Sequence, residues 1–145
     1  MKNCKIGAVM LKRFFFTIAI VLGITIISAN VKPLNFENPG NRRLLKTEKG
    51  NYWYYRSQPE KSMFLNVEGI STIYLRSFSV ARVHKPKAII IFGKDKKTYD
   101  LTLKEQKNGF YIYDEITIPV PEGAKKMELL CYERSIYFRP FYTPA

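Results

Sequence analysis

Aromatic residues alternate along three stretches of the sequence in a way that could build a ligand-binding surface. If the stretches are β-strands, alternate side chains lie on one face of a sheet. Aromatic rings bind the C–H faces of sugars, and clusters of aromatic residues and arginine also anchor protein partners. The alternative is that these rings fill a core or stabilise a sheet by cross-strand pairing. The predicted ligand-binding residues are Trp53, Tyr55, Tyr111, Tyr113, Tyr137 and Arg139.

Residues for acid–base, nucleophilic or metal chemistry are sparse. The single histidine, His84, lies beside a lysine and a proline in the turn-like segment 83–86, which indicates a solvated loop. Glycoside hydrolysis needs only two facing carboxylates, and Asp114, Glu115 and Glu133 are the candidates. Asp114 and Glu115 are adjacent and would point to opposite sides of a strand, so we interpret Asp114 as a bulged, frayed or ion-paired position. We predict a protein that is not an enzyme and has no cofactor or metal.

The elements that would position these residues are short strands separated by turn signals. This pattern is typical of an all-β sandwich or barrel. Asn108-Gly109 favours a type I′ hairpin between two antiparallel strands, because both residues tolerate positive φ. We predict an all-β fold, an antiparallel β-sandwich of about eight strands with jelly-roll or Ig-like topology. The predicted strands are 52–56, 62–67, 72–82, 88–92, 98–104, 110–118, 125–132 and 136–142.

Two segments depart from simple alternation. In 72–82, Ile73 and Leu75 keep one phase while Phe78 and Val80 keep the other, so a bulge near residues 76–77 is predicted to turn all four toward the core. The segment 30–50 contains prolines and glycines with little apolar periodicity, and we predict a leader arm with at most a helical turn or two over 42–49.

The thirteen residues 65–77 contain Val67-Glu68-Gly69 followed by a strand with Leu75 and Arg76. This stretch resembles a pattern in small secreted bacterial β-sandwich domains of unassigned function, although Ile70 stands where that pattern has proline. The resemblance implies the fold and carries no activity with it.

The N-terminal residues have the composition of an export signal. Lys12 and Arg13 precede the apolar run 14–27, and small residues surround Ala29. As a helix the run would extend about 21 Å, which is short for a hydrocarbon layer of about 30 Å. We predict a signal peptide over 1–29; because Ile27 stands where a small residue is usual, an uncleaved N-terminal anchor is the alternative. Both place the rest of the chain outside the cytoplasm.

Charge and cysteine content bound the exported part. The first 29 residues contain four basic and no acidic residues, so 20 of the 24 basic residues remain against 12 acidic ones. Lysines at turns and strand ends also serve to keep edges soluble. Cys4 precedes the apolar run, which excludes a lipoprotein-type lipid anchor there. Cys131 alternates with Met127 and Leu129, which predicts a core residue without a disulfide partner in the exported chain.

Together these features predict the domains 1–29 (signal peptide or anchor), 30–50 (leader arm) and 51–145 (β-sandwich). The predicted function is that of an exported, non-enzymatic module binding an extracytoplasmic glycan, anionic envelope polymer or envelope protein. The alternatives are a structural or assembly subunit of an envelope complex and a carbohydrate-active hydrolase. No nucleic-acid partner is predicted, and contact with a membrane is predicted only through an uncleaved N-terminal segment.

Overall fold

The computed structural model describes residues 31–48, 50–134 and 136–145, so the predicted signal segment 1–29 lies outside the described residues. The described residues from Lys32 onward form one compact unit of antiparallel strands, which confirms the predicted all-β fold. Its strands are β1 (Lys32–Pro33), β2 (Arg42–Thr47), β3 (Gly50–Arg56), β4 (Met63–Asn66), β5 (Ile70–Ser79), β6 (Lys87–Phe92), β7 (Asp95–Asp100), β8 (Leu103–Lys107), β9 (Phe110–Tyr113), β10 (Ile116–Pro119), β11 (Lys126–Leu130) and β12 (Ile136–Pro144). In this part of the chain no helix is long and apolar enough to cross a membrane.

The strands form a larger and a smaller sheet. The larger sheet has the order β2-β3-β12-β5-β9-β8, with β1 beside β12 and β10 beside β5. The smaller sheet has the order β4-β11-β6-β7. The long strands β5 and β12 pair along almost their whole length, from Ile136 opposite Ser79 to Thr143 opposite Thr72. This pair is the centre of the larger sheet, and its two faces therefore decide which side chains reach the core and which reach solvent.

The main core lies between the two sheets. Strands of the larger sheet contribute Ile73, Leu75 and Phe138, and strands of the smaller sheet contribute Leu65 and Leu129, all fully buried. Burying one such side chain contributes about 1.5 to 3 kcal/mol, so this layer accounts for most of the hydrophobic stabilisation. The alternation of each strand gives the core its pattern, since every second residue points inward.

Cys131 belongs to this core, as predicted, and is 1% exposed. Burial raises the pKa of its thiol above the ordinary value, and the thiol is a free cysteine. Because the thiolate is the reactive form, we expect Cys131 to react with iodoacetamide at neutral pH far more slowly in the folded protein than in urea. Peptide mapping by mass spectrometry would locate the label; rapid native labelling of Cys131 would contradict this expectation.

The predicted bulge near residues 76–77 of β5 is wrong, because the pairing of β5 with β12 runs through these positions without a shift. Ser77 and Ser79 continue the inward phase of Leu75, while Phe78 points to the opposite face. The extra residue lies instead on the neighbouring chain segment, between β9 and β10. Phe78 pairs with Ile112 and Leu75 pairs with Ile116, so an interval of three residues on β5 faces an interval of four residues there. Val80, expected in the core, is exposed.

The segment 30–50 is part of the sandwich, so the predicted leader arm and the domain boundary at residue 51 are wrong. In place of the predicted helical turn, β2 pairs along its full length with β3. Phe36 packs into the main core, and Asn38 covers the free edge of β4 by accepting a hydrogen bond from the Phe64 amide and donating one to the Ser62 carbonyl. Local periodicity was too weak to indicate these contacts, which form only with distant strands.

Two predicted strands are each divided. The segment 98–104 passes from the smaller sheet to the larger one, with Leu101 buried between β7 and β8. The segment 110–118 breaks at Asp114, whose side chain is exposed and whose amide donates a hydrogen bond to the Thr102 carbonyl at 2.8 Å. Of the bulged, frayed and ion-paired alternatives predicted for Asp114, the bulge agrees with the extra residue between Ile112 and Ile116. The Asn108-Gly109 hairpin is also confirmed, with φ angles of 53° and 82° between the antiparallel strands β8 and β9.

Candidate functional site

The outer face of the larger sheet, which points away from the main core, carries a second apolar cluster. Leu45, Tyr54, Phe78 and Tyr137 are buried there, on four different strands. The Phe78 ring is stacked on Tyr137 at a centroid distance of 5.1 Å and meets Tyr54 edge-on at 5.0 Å. The solvent side of an antiparallel sheet is usually polar, so burial on both faces distinguishes this sheet from an ordinary two-layer sandwich.

Part of this cluster forms the floor of a groove of about 640 Å³. Tyr54, Phe110 and Ile112 line it together with residues 44–48 of the β2–β3 hairpin and Lys104, Glu105 and Lys107 of β8. Because β2 and β8 lie at opposite ends of the sheet order, their presence in one groove means that the sheet curves around its outer face. Phe110 and Ile112 are only half-buried, so apolar surface of the floor is open to a ligand.

Charged side chains border the apolar floor. Arg76 donates from Nε to Oε2 of Glu115 at 2.8 Å, and both residues line the groove. The guanidinium of Arg76 also lies 4.1 Å from the centre of the Phe141 ring, which is a cation–π contact. These two contacts hold the Arg76 side chain in one orientation. The groove therefore combines fixed hydrogen-bonding groups with aromatic surface.

Arg139 lies directly opposite Arg76 on the paired strand β12. Its side chain is 8% exposed and donates from Nη1 to the Trp53 carbonyl at 3.4 Å, whereas its Nε has no hydrogen-bond partner among the described residues. Like charges directly opposite each other repel. Arg76 is paired with Glu115, which also lines the groove, whereas Arg139 lies outside the groove lining, so this second cation belongs to the surroundings of the groove.

Tyr54 supplies a hydroxyl to the same region. Burial raises the pKa of Tyr54 to about 12, although Arg76 and Arg139 act in the opposite direction. A phenol with this pKa is neutral at physiological pH, so it can donate as well as accept a hydrogen bond. Tyr54 thus adds a polar group to a floor that is otherwise apolar.

The structure does not bring the six predicted ligand-binding residues onto one exposed face. Tyr137 and Arg139 share the outer face but are buried, and Trp53 is exposed beneath Arg42, 4.2 Å from its ring. Tyr55, Tyr111 and Tyr113 instead point toward the main core. The prediction places the tyrosines of β9 on the outer side of the sheet. The buried Tyr113 instead shares a hydrogen bond with the Ser79 hydroxyl, and the small serines of β5 leave room for its ring on the core side.

Sequence reasoning missed the residues on the opposite sides of the same strands. Tyr54 alternates with the predicted Trp53 and Tyr55, and Phe110 and Ile112 alternate with the predicted Tyr111 and Tyr113. The signal that could have found them is the phase change in β5, because Phe78 marks a second apolar face when no bulge restores the first one.

The candidate catalytic residues lie in three separate segments of the chain, with Asp114 and Glu115 adjacent in one of them. His84 and Asp114 are exposed, Glu115 is engaged by Arg76, and Glu133 is half-buried at a different place, before β12. Within the described ranges no group of three histidine, cysteine or carboxylate side chains is placed to hold a metal ion.

No family model and no curated protein matches the sequence. Among solved structures, the chain is similar to a two-domain esterase active on acetylated mannans, which was co-crystallised with mannopentaose. The TM-score is 0.47 and the identity 20%, over 80% of this chain and 34% of that one, so this chain spans about a third of that protein's length. A similarity of this degree assigns neither an activity nor a ligand to the present chain.

Proposed function

We propose that this protein is an exported, non-enzymatic β-sandwich module that binds a glycan in the groove on the outer face of its larger sheet. Export is supported by the basic residues Lys12 and Arg13 followed by the apolar run 14–27, which have the composition of an export signal. Binding is supported by the groove itself.

The observation that carries the proposal is the open apolar floor between the two edge strands, where Phe110 and Ile112 are half-buried. An apolar pocket with a few polar groups directed into it is the usual form of a ligand site. Half-buried Phe110 and Ile112 offer surface to the C–H face of a sugar ring, while Tyr54, Arg76 and Glu115 offer partners for hydroxyl groups.

The charges of the groove favour a ligand of low net charge. Four basic side chains line it against three acidic ones: Lys46, Arg76, Lys104 and Lys107, and Glu48, Glu105 and Glu115. A nearly balanced set of donors and acceptors suits the hydroxyl groups of a neutral polysaccharide better than a polyanion, whose repeated charges would meet the three carboxylates. We therefore place a neutral glycan before an anionic polymer as the ligand of this groove.

Binding can be tested with two flat β-1,4-linked probes, cellohexaose and chitohexaose, by isothermal titration calorimetry. We expect at least one probe to bind and Phe110→Ala to weaken its affinity about tenfold, which corresponds to about 1.4 kcal/mol and to the loss of one ring contact. Tyr132→Ala is the matched control, since Tyr132 is an exposed aromatic residue outside the groove. Equal weakening by both substitutions, or no binding of either probe, would contradict the proposal.

The non-enzymatic part of the proposal needs a separate assay. The protein would be incubated with the probe that binds, and the mixture analysed by anion-exchange chromatography for shorter oligosaccharides. We expect the hexasaccharide to stay intact. Shorter products that disappear in Glu115→Gln would contradict this part and assign a hydrolytic role to the groove.

A further inference from the structure

A second concavity, the arginine pocket, lies where β3 leaves the larger sheet. It has a volume of about 540 Å³ and is lined by Arg56, Lys61 and Arg134 together with Asn41, Gln58 and Glu60. None of these residues lines the groove described above. The two concavities are thus separate sites on the same unit.

The walls of the arginine pocket are joined by hydrogen bonds between distant parts of the chain. Arg56 donates from its amide to the Asn41 carbonyl at 2.7 Å and from Nε to the Arg134 carbonyl at 2.8 Å. The buried Ser57 adds bonds from its hydroxyl to the Glu133 carbonyl and from its amide to the Ile136 carbonyl. The hydrogen bond to the Arg134 carbonyl thus orients the Arg56 side chain before any ligand binds.

The positive charge of this pocket is only partly compensated within the described part of the protein. The lining contains three cations and one carboxylate, Glu60. The ion pairs of the described residues are Arg76–Glu115, Lys87–Asp100 and Lys126–Glu37, and none of them involves a cation of the pocket. The fields of three positive side chains add inside one cavity, and the resulting positive potential favours an anion there.

The donors indicate which anion fits. The residues that line the cavity come from three segments of the chain and include two arginines, one lysine and the side-chain amides of Asn41 and Gln58 as hydrogen-bond donors. A carboxylate has two acceptor oxygens in one plane, whereas a phosphate group has three or four oxygens in a tetrahedral arrangement. Arginine forks pair with phosphate through two parallel hydrogen bonds. We propose that the arginine pocket is a binding site for a phosphate group.

The test is a titration of the full chain with inorganic phosphate in a chloride buffer, monitored by NMR chemical shifts. We expect saturable shifts at residues 56–61 and 134, and affinity at least tenfold weaker in Arg134→Gln. Lys61→Gln is a second variant, which tests the site even if a change at Arg134 disturbs the fold. Lys97→Gln is the matched control for charge, because Lys97 is an exposed cation on β7, outside the pocket.

The source of the phosphate is distinguished by a second arm. The protein would be co-sedimented with phosphatidylglycerol vesicles and, for comparison, with phosphatidylcholine vesicles. Co-sedimentation with phosphatidylglycerol that is abolished by Arg134→Gln would indicate a lipid headgroup. Phosphate binding without vesicle binding would indicate a soluble phosphate compound. Absence of saturable binding in both arms, or equal weakening by Lys97→Gln, would overturn the proposal. Phe110→Ala should leave phosphate binding unchanged, so failure at this pocket is distinguishable from failure at the glycan groove.

Discussion

Replacing Phe78 by alanine is expected to lower the free energy of unfolding by about 3 to 5 kcal/mol. Phe78 is fully buried, although it points away from the main core, and its ring contacts the rings of Tyr54, Phe110 and Tyr137. Removing it leaves a cavity in the second cluster and removes three aromatic contacts. The measurement is urea unfolding followed by circular dichroism.

The control for this prediction is Val80→Ala, one alternation further along the chain, where the side chain is 38% exposed. We expect this substitution to change stability by less than about 0.5 kcal/mol, as exposed positions usually do. A Phe78→Ala effect as small as that of Val80→Ala would mean that the outer cluster contributes no packing energy and that the sheet has only one stabilising face.

Alkaline pH should destabilise the protein through Tyr54. Burial raises the pKa of Tyr54 from 10.0 to about 12, so the folded state retains a proton that the unfolded state releases. The stabilising contribution is therefore complete below pH 10 and is lost as the pH rises from 10 to about 12. With 1.36 kcal/mol per pKa unit, the loss is about 3 kcal/mol.

This contribution is measured by comparing unfolding free energies between pH 8 and pH 12 in the unmodified protein and in Tyr54→Phe. Phenylalanine keeps the ring but cannot ionise, so the stability of the variant should fall less steeply above pH 10. The lysines titrate in the same range in both proteins, and the difference between the two curves isolates Tyr54. Parallel curves would show that Tyr54 ionises in the folded state as readily as it does in the unfolded chain.

The sequence was sufficient to predict most strand positions but not the faces of the larger sheet. Alternation locates a strand because the side-chain period is two, and Asn108-Gly109 locates a hairpin because its φ angles are demanding. Which face of a strand points to the core depends on the neighbouring strands. The first half of β5 is apolar on its inner face, and the second half is apolar on its outer face. Ile73 and Leu75 point inward while Phe78 points outward, so a rule with a single core misplaces one set.

The same limitation explains why the candidate site was predicted only in part. Alternation places Arg139 and Tyr137 on one face, in agreement with the structure, but it does not indicate whether that face is exposed, and both residues are buried. The sequence also did not indicate that β2 belongs to the sheet. The residues of β2 are mostly polar, and the strand is stabilised by pairing with β3 and by Leu45, which covers the second cluster. Curvature of the sheet, which brings β2 and β8 to one groove, is a property of the whole assembly of strands.

We expect a glycan to bind on the curved outer face of the larger sheet and not elsewhere on the surface. The most direct measurement is a two-dimensional NMR titration of the protein with cellohexaose or chitohexaose, followed at assigned amide groups. We expect shifts concentrated at residues 44–48, at Lys104, Glu105 and Lys107, and at Phe110 and Ile112, all of which line the groove. Shifts concentrated on β4 and β11 of the smaller sheet, with the groove unaffected, would contradict this expectation.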